Sequence, residues 1–232
     1  MLDAELVPAR EPDSRRLMVV LHGLGDSMEG YRWMPTELDL PYLNYLLVNA
    51  PDDYLGGFSW YDIYGEAGPG VRRSRALLFE LLDAQPTRGF PTDQTVVFGF
   101  SQGGLLAIEA GARYPHRFAG LIAISAYVHD PEDLVLSLSP VAARQRFLMT
   151  HGTYDPLIPI EPVRQQVSQL RAAGLNIQWG EFAKAHTIAG EDELRVIREF
   201  VRQSFRAQQI CPTSVVARLG CARKSTFKEP MG

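Results

Sequence analysis

At 232 residues the chain is long enough to bury one substantial core, and a balance of 46% hydrophobic to 22% charged residues excludes a disordered or fibrous protein. A formal net charge of -4 supplies no long-range attraction for nucleic acid or anionic lipid, so nucleic acid is not an expected partner. The opening MLDAELVPAREPDSRR lacks the apolar stretch of a secretory signal, and no later segment approaches the roughly 20 apolar residues of a membrane span. Together these features predict a cytoplasmic protein without a transmembrane segment.

Along the chain, the apolar run Arg16–Leu21 reads as a buried strand, and residues 43–49 as a second. Residues 51–70 form a long connection without a clear period. Val71, Ser74, Leu77, Leu78, Leu81 and Leu82 then recur at three- and four-residue spacing, which predicts a helix. A third strand is expected over 95–98, followed by a less regular helical pattern through Leu105, Ile108, Ala112 and Phe118. Residues 120–125 give a fourth strand, 126–140 a second long connection, and 145–150 a fifth strand. Pro162 can open a helix that puts Val163, Val167 and Leu170 on one face and stops near Gly174. A sixth strand over 176–182 and an amphipathic helix over 193–206, carrying Leu194, Ile197, Val201 and Phe205, complete the pattern.

Strand and helix alternate, and the strands are apolar almost throughout. Both properties predict an α/β fold: a doubly wound, mostly parallel sheet with helices on both faces. Residues 1–210 are expected to form one such domain and 211–232 a loosely ordered tail. Cys211 and Cys221 fall in that tail without Cys-x-x-Cys spacing or paired histidines, so no metal site is expected; a disulfide and two free thiols stay open.

Gly99-Phe-Ser-Gln-Gly103 stands between the apolar run Val96-Val97-Phe98 and the helical residues Leu105, Leu106 and Ile108. A serine at such a strand-to-helix turn projects its hydroxyl above the sheet, and the flanking glycines keep strand and helix from clashing. The arrangement resembles the nucleophile turn of the α/β-hydrolase fold, and it singles out Ser101.

A serine hydroxyl needs a base, and the base needs a third group to fix its tautomer. In this fold the chain order is serine, acid, histidine. Among the later histidines, His116 falls at the far end of the helix after Ser101 and His129 in an acidic loop without a positioning element. His151 is expected to pack a loop. His186 follows the sixth strand and precedes the last helix, and Asp155 lies on the loop after the fifth, so both emerge at the edge where Ser101 stands. Ser101, Asp155 and His186 are therefore the expected catalytic residues.

Acyl transfer also needs donors aimed at the oxygen that becomes negative. The amide of Gln102 is one candidate, at the positive end of the following helix. Leu24, in His22-Gly-Leu-Gly-Asp-Ser27 after the first strand, is the other. The same glycines lack the spacing of a dinucleotide or P-loop motif, and no cofactor is expected.

With these pieces assembled, the chain resembles the phospholipase/carboxylesterase family, which includes acyl-protein thioesterases and small bacterial carboxylesterases. The matching stretches are His22-Gly-Leu-Gly-Asp-Ser27, Asn49-Ala-Pro51, Trp60-Tyr-Asp62, Gly99-Phe-Ser-Gln-Gly-Gly104, His151-Gly-Thr-Tyr-Asp-Pro156 and His186, in the family's order across nearly the whole chain. The resemblance implies hydrolysis of carboxylic esters or thioesters through an acyl-enzyme, without metal or cofactor, and the same triad and oxyanion donors. Three departures stand out: a short and differently composed 51–60 segment, Ala185 where a glycine commonly precedes the histidine, and no cysteine in Met1-Leu-Asp3 of the kind lipidated in some thioesterases.

For the substrate, Phe58, Trp60, Leu157 and Ile158, with Leu24, are the apolar candidates to contact an acyl group. The expected ligand is a small-molecule ester or acyl thioester, with a lipid or acylated protein as variants, and a homodimer stays open. A lysophospholipase and a catalytically silent scaffold that binds a partner are the alternative readings.

Overall fold

The computed structural model describes residues 2–209; the expected tail over 211–232, with Cys211 and Cys221, lies outside the described residues. Seven strands form one sheet: β1 (Ala4–Val7), β2 (Arg16–Leu21), β3 (Leu43–Val48), β6 (Thr95–Phe100), β7 (Gly120–Ile124), β8 (Arg146–Gly152) and β9 (Asn176–Phe182). Their spatial order is β1-β3-β2-β6-β7-β8-β9, and every neighbouring pair is parallel except the edge pair of β1 and β3. Two short strands, β4 (Asp52–Tyr54) and β5 (Gly57–Ser59), make a separate antiparallel hairpin.

The alternation of side chains along a strand divides the core into two layers. On β2, Leu17, Val19 and Leu21 point to one layer, shared with α2 (Ala67–Asp83), α3 (Gln102–Arg113) and α5 (Ile160–Ala172). Met18 and Val20 point to the other, covered by α1 (Met34–Leu38) and α6 (Gly190–Gln209). This is a mostly parallel sheet with helices on both faces, as the uninterrupted apolar strands predict. The predicted helix faces point inward: Val71, Ser74, Leu78, Leu81 and Leu82 of α2, and Val163, Val167 and Leu170 of α5, are buried.

The structure departs from the sequence reading in several places. The edge strand β1, four residues long and only half-buried, was not expected. The 51–70 connection contains the β4–β5 hairpin, and the 126–140 connection contains α4 (Pro131–Leu136), whose N-cap Asp130 accepts a hydrogen bond from the Asp133 amide. Phe118 lies beyond the end of α3 at Arg113. Finally, β8 runs to Gly152, two residues further than predicted, so His151 sits within the strand.

Because β2, β6, β8 and β9 run parallel, the segments that follow them all emerge at one edge of the sheet. Those segments are the Leu24 loop, the turn at Ser101, the Asp155 loop and the His186 loop. No helix among the described residues is long and apolar enough to cross a membrane.

Candidate active site

Ser101 is the single residue between β6 and α3, with φ 53° and ψ -115°. An L-residue held there is strained by about 1–3 kcal/mol, and the surrounding backbone enforces it. The Ser101 amide donates to the Ile124 carbonyl on β7 at 2.9 Å, and the Ser101 carbonyl accepts from the Leu105 amide at 3.0 Å. The turn is tight enough to require both flanking glycines. A Cβ on Gly99 would lie 2.1 Å from the Gly103 carbonyl oxygen, and one on Gly103 would lie 2.2 Å from that of Leu21.

The Ser101 hydroxyl lies 2.9 Å from His186 Nε2, and His186 Nδ1 lies 2.7 Å from Asp155 Oδ2. The carboxylate can only accept, so Nδ1 carries a proton toward it and Nε2 is left to accept from the serine. Asp155 is buried, and its other oxygen accepts from the amides of Leu157 and Ile158, each at 2.9 Å. Burial pushes the Asp155 carboxyl up, but the Ile158 amide, His186 and the Leu157 amide outweigh it and hold the group below the ordinary carboxylate value. The Phe100 ring packs at 5.0 Å from the imidazole and limits its swing.

The other histidines stand apart from the serine. His151 is fully buried; its Nε2 donates to the Ile158 carbonyl at 2.9 Å and lies 3.5 Å from Asp155, so it braces the loop that carries the acid. His116 and His129 are exposed.

The Leu24 loop rests on a histidine that sequence reasoning passed over. His22 is fully buried; its Nδ1 donates to the Gly23 carbonyl at 2.6 Å and its Nε2 accepts from the Ala50 amide at 3.0 Å, which fixes a neutral imidazole. Burial, only partly offset by the Gly23 carbonyl, lowers its pKa. Phe58 braces the loop from outside: its carbonyl accepts from Gly25 and its amide donates to the Asp26 carbonyl, both at 2.9 Å. Trp60 is fully buried beneath, donating from Nε1 to the His22 carbonyl at 2.9 Å.

Gln102 links this support to the turn at Ser101. Its side-chain oxygen accepts from the Trp60 amide at 2.9 Å, and its Nε2 donates to the Tyr61 carbonyl at 2.9 Å. Its backbone amide opens α3, where helix geometry leaves it without an intrahelical partner. The Leu24 amide likewise meets no acceptor among the described residues.

Beside Ser101 and His186 lies a cavity of about 440 Å³ with a mainly apolar wall. Of the apolar residues expected there, Leu24, Leu157 and Ile158 line it. Phe58 and Trp60 do not; their hydrogen bonds to Gly25, Asp26 and His22 hold the Leu24 loop that forms part of the wall. The wall also includes Tyr61, Tyr127 and Phe100, which sequence reasoning missed; the Tyr61 and Tyr127 hydroxyls are 3.0 Å apart. Among the described residues no cluster of three or more His, Cys, Asp or Glu side chains is placed to hold a metal ion.

The model of the phospholipase/carboxylesterase family matches residues 2–205. The chain belongs to that family. Acyl-protein thioesterase 1 of Schizosaccharomyces pombe is 34% identical over 155 residues, which cover 61% of this chain and 69% of the relative. The Candida albicans protein of the same name is 26% identical over 219 residues, covering 84% and 95%. Among solved structures, esterase PE8 superposes with a TM-score of 0.75 at 26% identity, covering 87% of this chain and 98% of its own. Membership supports hydrolase chemistry of the esterase or thioesterase class.

Proposed function

We propose that the protein cleaves carboxylic esters or thioesters through an acyl-enzyme, with Ser101 as nucleophile, His186 as general base and Asp155 as the group that orients the base. The observation that carries this reading is the unbroken hydrogen-bonded series from Ser101 Oγ through both imidazole nitrogens to Asp155. Family membership supports the same class of chemistry.

In this reading, Ser101 Oγ attacks the acyl carbonyl carbon while its proton passes to His186 Nε2; the imidazolium formed keeps its Nδ1 bond to Asp155. The amides of Leu24 and Gln102 receive the developing oxyanion. The carbon–oxygen or carbon–sulfur bond then breaks, and His186 returns the proton to the leaving alcohol or thiol. Water attacks the acyl-serine by the same steps, its proton passing through His186 to Ser101 as the carboxylic acid departs. The acyl chain lies in the apolar cavity against Leu24, Leu157 and Ile158, within one α/β domain over 1–210.

Replacing Ser101 by Ala is expected to lower turnover of p-nitrophenyl esters by about 10³-fold or more in a protein that still folds. Undiminished hydrolysis by that variant contradicts the assignment. A series of esters, acyl thioesters and lysophosphatidylcholine on the same preparation ranks the leaving groups and acyl lengths. Each methylene buried in the cavity is worth about 0.8 kcal/mol, or roughly fourfold in kcat/KM, and no gain beyond four carbons would mean a short pocket.

A further inference from the structure

His186 stands on the segment between β9 and α6, residues 183–189, which contains neither helix nor strand. The two ends of that segment converge on one carboxylate. Glu193, fully buried in the first turns of α6, receives the Lys184 ammonium on both oxygens, at 2.7 and 2.8 Å. The Ala189 amide donates to Glu193 Oε2 at 2.6 Å, and the Thr150 hydroxyl on β8 donates to Oε1 at 2.5 Å. Lys184 lies two residues before His186 and is itself buried; its carbonyl accepts from the Tyr154 amide at 3.1 Å, on the loop that carries Asp155. The carboxylate is thus tied to the segment on both sides of His186, to β8 beneath it and, through Lys184, to the Asp155 loop.

We propose that Glu193 and Lys184 are positioning residues that hold His186 Nε2 within reach of Ser101. A buried ion pair is not needed for stability as such, because a well-packed apolar pair of similar size often folds as well. What an apolar pair cannot reproduce is the acceptor for Ala189 and the tie to Lys184. A misplacement of the base by about 1 Å is enough to cost roughly 10²-fold in rate. This inference rests on the reading of His186 as the base.

The test compares the Lys184→Met/Glu193→Leu and Lys184→Met/Glu193→Gln double variants and Ser101→Ala with the native chain. The measurements are kcat and KM for p-nitrophenyl acetate, the rate of labelling by a fluorophosphonate, and thermal melting. The Lys184→Met/Glu193→Leu variant is expected to melt cooperatively, to lose roughly 10- to 100-fold in kcat with KM within about twofold, and to slow in labelling by the same factor. Lys184→Met/Glu193→Gln, which leaves no unpaired buried charge and keeps a side-chain oxygen to accept from the Ala189 amide, is expected to lose less, and it decides the matter if the first double variant does not fold. Native kcat and labelling rate in a folded variant overturn the proposal, as does a loss that appears only in KM. Ser101→Ala separates the two levels: if it retains hydrolysis, the reading of the site has failed, whereas an inactive Ser101→Ala beside a fully active double variant sinks the positioning role alone.

Discussion

Ser101 and His186 meet at 2.9 Å, yet the chain brings them there by different means. Ser101 is fixed by backbone: it is the one residue between a central strand and a helix, and two glycines let those elements close to within van der Waals contact. His186 is fixed by side chains, through Asp155, the Phe100 ring and the Glu193–Lys184 pair, on a segment without regular structure. The difference has a consequence for substitution. Damage on the serine side is damage to the fold, whereas the histidine side can lose activity while the fold persists.

On the serine side the loss is expected in stability. Gly103→Ala forces a Cβ to 2.2 Å from the Leu21 carbonyl oxygen, and it is expected to destabilise the protein by roughly 3 kcal/mol or more. Chemical denaturation measures this; a native midpoint would show that the β2–α3 approach is looser than the contact distance implies.

On the histidine side the loss is expected in rate, and Asp155→Asn exposes it. The remaining side-chain oxygen can still accept from Leu157 and Ile158, so the fold is expected to hold. The new amide nitrogen, however, can only donate, which drives the proton of His186 to Nε2 and removes the acceptor that Ser101 needs. A fall in kcat of about 10³- to 10⁴-fold is expected with near-native melting. Activity within tenfold of native would show that Asp155 does not set the tautomer.

A smaller change is expected in the pH dependence of stability. His22 and His151 are buried beneath the Leu24 and Asp155 loops, and burial lowers both pKa values from the ordinary 6.5. As pH falls through 6.5, the unfolded chain takes up protons at these positions that the folded chain does not, so stability declines. Asp155, also lowered, adds a further loss only below its ordinary value of 3.8. Melting temperature is expected to fall by a few degrees between pH 7.5 and pH 5.5. A flat profile over that range contradicts the neutral burial of the two histidines.

The same contrast explains what could be read from the sequence. The parallel strands and the helices α2, α3, α5 and α6 announce themselves by apolar runs and period, and Ser101 by five contiguous residues whose geometry is local. Asp155 and His186 could be located by chain order and by the strands they follow, because strand direction alone sends them to one edge. The Glu193–Lys184 pair could not: Glu193 stands four residues before Ile197 on the apolar face, but that spacing does not say which side chain neutralises a carboxylate buried there. Trp60 misled for a related reason: an aromatic residue near the site in sequence suits a cavity wall and a buried support equally well, and only the packing turns it toward His22. The four residues of β1 and the three-residue strands of the hairpin are too short to show a period, although Asp130-Pro-Glu-Asp133 carried a readable capping signal for α4.

The proposed reaction turns on acylation of Ser101. It is tested most directly by mixing the protein with p-nitrophenyl acetate, quenching within the first turnover and mapping the acyl group by peptide mass spectrometry. A burst of nitrophenol close to one equivalent per chain is expected, with an acetyl group on the peptide containing Ser101, both abolished in Ser101→Ala. Steady hydrolysis without a burst or an adduct would leave the acyl-enzyme unsupported, and an acetyl group on another residue, retained in Ser101→Ala, would contradict it.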